Sequence, residues 1–293
     1  MTAIELTGAK RELHIRDTTQ VDPASMFKLY YAGLAFERIE LGKWQLSTKL
    51  SSENSVKTCL RLMISFSDNE CASDFRTKLG ISSINKRLLS WGLSSSHIVT
   101  NSRGQYLTKH TTTGDLAHFL KELHAGNILN ANNTSGLIDL MKNQVWRGRI
   151  SSGIQLGIQV ASKSGQLLTN NGMIEADSAL VYSPSSTYLL VVVGTSGATG
   201  VAVRGVSKLV YESWQGPITS RAIYPKAQLI VAKKTYLRNH AGGRILKTLA
   251  AGSALELLWS ERSWLYVVSG STKGFVYENA VRLSNRYLHW GDL

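Results

Sequence analysis

The chain has 293 residues, 43% of them hydrophobic and 18% charged, with four prolines. That excludes a disordered or collagen-like polymer and predicts a core large enough for one big domain, or for one medium and one small. The formal net charge of +13 predicts a polyanionic neighbour, among nucleic acid, an anionic membrane surface and an anionic wall polymer, without choosing between them.

By segment, residues 1–225 carry 23 Lys/Arg against 16 Asp/Glu (+7) and residues 226–284 carry 9 against 3 (+6), so the shorter C-terminal part is the more basic per residue. No run approaches the roughly eighteen apolar residues a membrane helix needs; no membrane segment is expected in this chain. Met1 is not followed by a charged and then apolar signal-like stretch, as holds for a mature form or a fragment too.

In chain order, Ala3-Ile4-Glu5-Leu6 and Glu12-Leu13-His14-Ile15 read as two short strands broken around Gly8, hence a hairpin. From Pro23 the apolar residues Phe27, Leu29, Tyr30, Leu34 and Ala35 fall at helical spacing until Gly42, which places Ser25 at the start of a helix. Val56, Leu60, Met63 and Ile64 predict a helix over 55–65 that runs into the polar turn Ser67-Asp68-Asn69, and a helix resumes at Cys71. Residues 94–113, rich in Ser, Thr, Asn and Gly, read as a long loop, followed by helices Gly114–Leu123 and Ser135–Gln144.

From Gly157, β-branched and apolar runs predict neighbouring antiparallel strands at Ile158–Ser162, Ala179–Tyr182 and Tyr188–Val193. Gly200 opens a helix carrying Val203, Val206, Leu209, Val210 and Trp214. Helices enclosed between an early hairpin and late strands give an α/β (α+β) class, an antiparallel sheet split in sequence and flanked by helices. Past Gly216-Pro217 the segments Gln228–Ala232, Leu255–Trp259, Trp264–Val268 and Gly274–Tyr277 alternate with glycine turns in the manner of a small β-barrel. The boundary is placed near 216–226.

Three short motifs carry the chemistry: Ser25-Met26-Phe27-Lys28, Ser67-Asp68-Asn69 and Lys163-Ser164-Gly165. Positions i and i+3 share a helix face, so Lys28 is expected within reach of the Ser25 hydroxyl. A serine hydroxyl is a weak nucleophile until a base takes its proton. A lysine serves when burial and a neighbouring cation depress its pKa, and Lys163 is the candidate cation. Singly, the motifs also read as a helix N-cap, a turn and a strand end. Together, in this order and on these elements, they point to acyl transfer through Ser25.

Over roughly residues 1–215 the chain resembles the penicillin-recognising serine hydrolases, the group of class A β-lactamases and D-alanyl-D-alanine peptidases. The stretches that carry this are Asp22 to Leu29, Met63 to Ala72, Thr111 to Ala117, and Ser162 to Gly165 followed by Ala179 to Tyr182. The resemblance implies that Ser25 attacks a carbonyl, that Lys28 is its base and that Ser67 relays a proton to the leaving nitrogen. It further implies that Asn69 bonds the substrate's side-chain amide, that Lys163 and Ser164 hold its carboxylate, and that the Ser25 and Gln166 backbone N–H groups form an oxyanion hole. Gly165 lets the strand approach the ligand closely. The implied partners are peptidoglycan peptides ending in D-Ala-D-Ala, or β-lactams, and the implied location is extracytoplasmic.

The chain departs from class A β-lactamases in one respect that bears on turnover. They carry a Glu between the second and third motifs that activates the deacylating water, whereas no Asp or Glu occurs here between Asp74 and Asp115. A lasting acyl-enzyme, as in a penicillin-binding peptidase, is the first expectation. A β-lactamase using an unusual base, with His97 and His110 as loop candidates, is the second; a non-catalytic wall-binding protein is the third. No Lys or Arg occurs from Ser164 to Val203, which leaves Arg147 and Arg149 as candidates for an extra carboxylate anchor.

Cys59 and Cys71 flank the second motif and read as a pair or as two buried free thiols; in members that resemble this segment a disulfide pins the catalytic turn and marks an oxidising compartment. The seven His and two Cys show no metal-ligand spacing, and neither metal nor cofactor is expected. The Gly194–Gly200 segment lacks the Gly-Lys-Ser/Thr ending of a phosphate loop and reads as a strand-to-helix connection. His118 and Trp146 read as structural. Aromatic residues do not cluster with basic ones, so nucleic acid is not an expected partner.

Residues 226–284 resemble a bacterial SH3-type (SH3b) domain through Thr235-Tyr236-Leu237-Arg238-Asn239 followed by Gly243, Ile245, Leu249, Gly252, Leu255, Leu257, Trp264, Val267, Gly274, Val276, Ala280 and Val281. Asn239-His240-Ala241 replaces the usual small-polar and proline turn. This resemblance implies either binding of an anionic cell-wall polymer or a packing module that steadies its neighbour. The expected organisation is thus a β-lactamase-like domain over 1–220 and an SH3b-like domain over 226–284.

Overall fold

The structure, a computed structural model, describes residues 1–220, 227–261 and 263–283. Strands β1 (Thr2–Glu5) and β2 (Glu12–His14) pair as the expected hairpin. A 3-10 turn, Ala24–Phe27, leads into helix α1 (Lys28–Glu40), which is buried at every residue from Lys28 to Phe36. A helix with no solvent face for most of its length sits inside the core. Helix α2 (Val56–Arg61) is capped by Ser55, whose side chain accepts from the Thr58 N–H. It runs through a π turn, Leu62–Phe66, to α3 (Asn69–Leu79) and α4 (Ile81–Ser90). Of its ten residues α4 buries only Ile84 and Leu88, although Ile81, Ile84 and Leu88 fall at helical spacing.

The stretch expected as a long loop contains a hairpin, β3 (His97–Thr100) and β4 (Tyr106–His110). Its strands are largely half-buried and polar, and the apolar alternation that marks a strand is missing. Helices α5 (Thr113–His124) and α6 (Ala131–Lys142) follow, each with a side-chain cap, Thr112 and Asn130. Strands β5 (Gln159–Thr169), β6 (Gly172–Tyr182) and β7 (Thr187–Gly194) and helix α7 (Gly200–Gln215) close this part. β5 and β6 outrun the expected segments because polar residues, Glu175 and Asp177 among them, are buried in the pairing.

The sheet order is β2-β1-β7-β6-β5, antiparallel throughout. Alternate residues face opposite ways: Ile4, Ala161, Leu180, Leu189 and Val191 join the α1 core, while Ala3, Val160, Ala179, Val181 and Leu190 pack with Val203 and Val210 of α7. Covered on both faces, β7 reads in sequence as a continuous apolar run. β5 is the edge strand, and it lies against the Ala24–Phe27 turn.

The C-terminal strands are β8 (Ala227–Val231), β9 (Thr235–Arg238), β10 (Ile245–Leu249), β11 (Ala254–Glu261), β12 (Trp264–Ser269), β13 (Thr272–Tyr277) and β14 (Val281–Leu283). They form one antiparallel sheet in the order β10-β9-β13-β12-β11-β8-β14. Among the described residues the edge strands β10 and β14 do not pair, so the expected barrel is not closed. Part of the expected boundary, residues 221–226, lies outside the described residues. This sheet packs on the rest of the chain: Arg61 pairs with Glu278, the Ser263 hydroxyl donates to Asn54 Oδ1 at 3.0 Å, and Leu257, Leu265 and Val276 join the α1 core.

Cys59 on α2 and Cys71 on α3 are joined, with Cα atoms 5.1 Å apart and a sequence separation of 12. They bracket the π turn and Ser67. In the chain-entropy account, closing a loop of this size removes about 3 kcal/mol of unfolded-state freedom. Replacing both cysteines by alanine is therefore expected to lower the unfolding free energy by about 3 kcal/mol in urea titrations. The reduced wild-type chain should match the variant.

Candidate active site

Ser25 sits on a turn built by its neighbours. Asp22 Oδ1 accepts from the Ala24 N–H at 2.7 Å, and Asp22 Oδ2 accepts from the Thr108 hydroxyl at 3.1 Å. Ala24 then takes φ +48°, and across the site Ser67 takes φ +66°. Both are non-glycine residues in the left-handed region, a conformation costing of order 1 kcal/mol or more that persists only where surroundings fix it. At Ser67 those surroundings are visible. The Asp68 N–H bonds back to Leu62 O at 3.0 Å, Asp68 Oδ1 caps α3 by accepting from the Cys71 N–H at 2.8 Å, and Trp146 Nε1 donates to Phe66 O at 3.1 Å.

Edge strand β5 closes the other side. A Cβ on Gly165 would lie 3.0 Å from Pro23 O and 3.1 Å from the Ser25 nitrogen, so only a glycine lets the strand come this near the Ser25 backbone.

Two lysines converge between these walls. Lys28 Nζ donates to Ser67 O at 2.6 Å and to Asn69 Oδ1 at 2.7 Å, and lies 3.3 Å from Ser67 Oγ. Lys163 Nζ donates to the same Ser67 Oγ at 2.9 Å and to Ser164 O at 3.0 Å. Burial pushes Lys28 down to about 7, with Asp68 pulling up and Lys109 pushing further down. Burial also carries Lys163 well below the usual lysine range, helped by Lys28 and Arg149 and opposed by Asp177. No hydrogen bond joins Lys28 to Ser25 among the described residues, although the i, i+3 spacing led us to expect contact. A buried lysine nitrogen donates to the strongest acceptors in reach, here a backbone carbonyl and an amide oxygen. Ser25 and Lys28 nevertheless line the same cavity.

Ser25 borders two cavities. One, of ≈ 270 Å³, holds Ser67, Ser164 and Arg149, with Phe66, Trp146 and Trp259 as its apolar walls. The other, of ≈ 280 Å³, holds Lys28, Tyr31, Tyr106 and Lys109. Asn69 and Gln166 border both. The structure thus gathers Ser25, Lys28, Ser67, Asn69, Lys163, Ser164, Gly165 and Gln166 in one place.

Of the two arginines, Arg149 reaches the first cavity, with its Nε on Glu175 at 2.6 Å; Arg147 Nη1 donates to Lys142 O and borders neither. His97 and His110 face each other across β3 and β4, ring centroids 5.6 Å apart, and border neither cavity. Neither cavity is lined by an Asp or Glu among the described residues.

Sequence reasoning treated Trp146 as structural, and it missed Phe66, Tyr106, Lys109 and Trp259. Tyr106 and Lys109 lie on the hairpin read as a loop. Trp259 belongs to the C-terminal sheet, and nothing local to its sequence ties it to Ser25.

A family model described as "Beta-lactamase2: Beta-lactamase enzyme family" matches residues 2–214. No curated protein matches the chain in sequence. Among solved structures, PBP-A is 20% identical with a TM-score of 0.66, over 73% of this chain and 88% of that one. A mutant of PBP-A, solved as an acyl-enzyme complex with penicillin G, gives 20% and 0.65, over 73% and 89%. A β-lactamase from Sphaerobacter thermophilus gives 16% and 0.64, over 72% and 90%. These likenesses show the fold.

The Gly165 contact generates a prediction. Gly165→Ala forces β5 away from the Pro23–Ser25 turn and is expected to cost about 1–3 kcal/mol of stability, read by urea unfolding. An unchanged midpoint would show that the strand has slack.

Proposed function

The chain belongs to the beta-lactamase enzyme family, and we propose that it is a serine hydrolase of the penicillin-binding type, acting through an acyl-Ser25 intermediate on peptidoglycan peptides ending in D-Ala-D-Ala. The observation that carries this reading is the Ser67 hydroxyl held between two buried lysines beside Ser25, with no carboxylate lining the cavities among the described residues. A neutral Lys28 has two N–H bonds for Ser67 O and Asn69 Oδ1 and a lone pair left over to accept a proton.

In the forward step Ser25 Oγ attacks the carbonyl carbon, a C–O bond forms, and the C–N bond breaks. The proton leaves Ser25 for Lys28 and passes through Ser67 to the departing nitrogen. The Ser25 and Gln166 N–H groups receive the oxyanion. Lys163, Ser164 and Arg149 supply donors and positive charge for the substrate carboxylate, and Asn69 meets the amide of the acyl portion. Water then takes the acyl group from Ser25. Among the described residues no carboxylate lines the cavities to serve as base for that step, so a β-lactam adduct is long-lived. The penicillin G complex of PBP-A, a structure of this fold, is consistent with β-lactams as ligands.

We read the C-terminal sheet as an SH3b-type unit whose basic charge suits an anionic wall polymer. The disulfide fits an extracytoplasmic location. No helix among the described residues is long and apolar enough to cross a membrane.

Two measurements test the reading. Intact mass after incubation with a labelled penicillin is expected to show an adduct that persists and that Ser25→Ala abolishes. Rapid return to free enzyme would mark a β-lactamase with another base, and no adduct at all would remove acyl transfer. The rate of adduct formation is expected to rise with pH through about 7, because below that value Lys28 is protonated and cannot take the Ser25 proton. A pH-independent rate would exclude Lys28 as the base.

A further inference from the structure

Trp259 belongs to β11 of the C-terminal sheet, yet it borders the same cavity as Ser25, Ser67, Ser164 and Arg149. It is 42% exposed, while its ring is fixed against Phe275 edge-on at 5.3 Å and against Tyr266 at 5.2 Å between centroids. The β11–β12 register shifts between Leu257 and Trp259, the kind of bulge that re-aims a side chain. The sheet itself is held by the Arg61–Glu278 ion pair and the Ser263–Asn54 hydrogen bond. Arg61 ends α2, the helix that leads through the π turn to Ser67. The tryptophan is therefore a braced wall of the cleft.

The contents of the two cavities say which side it closes. Ser67, which serves the leaving nitrogen, and Ser164 and Arg149, which serve the carboxylate, line Trp259's cavity alone; Tyr31 and Lys109 line only the other, and Asn69 and Gln166 stand at the junction, bordering both. This assignment of sides rests on the acyl-transfer reading above. The cavity of ≈ 270 Å³ falls below the span of about 300–1,000 Å³ usual for ligand sites, and Leu258 and Trp259 of the C-terminal sheet form part of its lining.

We infer that Trp259 of the C-terminal unit sets the size of the leaving group. The site releases a single small amino acid with a free carboxylate and rejects a leaving group that continues as a chain. The C-terminal sheet thus takes part in substrate choice, and the enzyme acts on chain ends rather than on cross-links.

The test uses the full chain and two cephalosporin-type β-lactams with one acyl side chain. They differ in the ring substituent on the leaving-group portion, methyl in one and a bulky aromatic group in the other. Adduct formation is followed by intact mass. The wild type is expected to react about tenfold or more faster with the compact compound. Trp259→Ala should bring the ratio to within about threefold by speeding the bulky one, and Trp259→Phe should keep most of the preference. A second pair, differing only in the acyl side chain, should keep its ratio in Trp259→Ala. Trp259→Leu, which keeps an apolar contact with Tyr266 and Phe275, carries the comparison if the alanine variant does not fold.

Equal rates for the first pair in the wild type, an unchanged ratio in the variants, or equal shifts for both pairs would overturn the inference while leaving acyl transfer standing. Failure of every compound to form a Ser25-dependent adduct would overturn the functional reading instead.

Discussion

Lys28 and Lys163, both buried, end on one hydroxyl, Ser67 Oγ, at the floor of the cleft. Two like charges cannot both be kept there cheaply, because burial penalises each and their mutual repulsion adds to the penalty. A neutral amine beside a serine is the outcome. The fold supplies the burial: α1 brings Lys28 into the core on a helix without a solvent face over its first turns, and β5 brings Lys163 in from the sheet edge. Burial is the larger cause for both lysines; Lys28 pushes Lys163 further down, and Lys109 does the same to Lys28.

The strained residues serve the same end. Ala24 and Ser67 hold left-handed backbone on either side of the cleft, and each is flanked by a side chain that closes its turn, Asp22 in one case and Asp68 in the other. The disulfide and three hydrogen bonds, from Ser65 to Leu140 O, from Gln144 to Ile64 O and from Trp146 to Phe66 O, hold the π turn before Ser67. Atoms that must meet a reacting group are thereby placed before any ligand arrives, which spares the cost of ordering them later.

Much of this was legible in the sequence because it is local. The Ser25-to-Lys28 spacing, the Ser67-Asp68-Asn69 turn and the Lys163-Ser164-Gly165 strand end announce themselves over three or four residues, and the apolar run of β7 marks a strand covered on both faces. The β3–β4 hairpin was not legible, since its pairing rests on half-buried polar residues with no apolar alternation. α4 was overlooked although Ile81, Ile84 and Leu88 stand at helical spacing in the sequence. The open order of the C-terminal sheet depends on which strands meet, which spacing between glycines does not specify. Trp259 was the least readable: its place in the cleft follows from the contacts of Arg61 with Glu278 and of Ser263 with Asn54, between residues far apart in the chain.

Those two contacts also join segments that are synthesised at different times. A nascent chain exposes its N-terminal region first, and domains fold largely as they emerge. Ser25, Lys28, Ser67 and Lys163 are all made before the strand that carries Trp259, so the flank it forms can only be added after them. Docking of Glu278 on Arg61 fixes that flank. Strands made later therefore finish a site whose reactive groups lie on earlier ones.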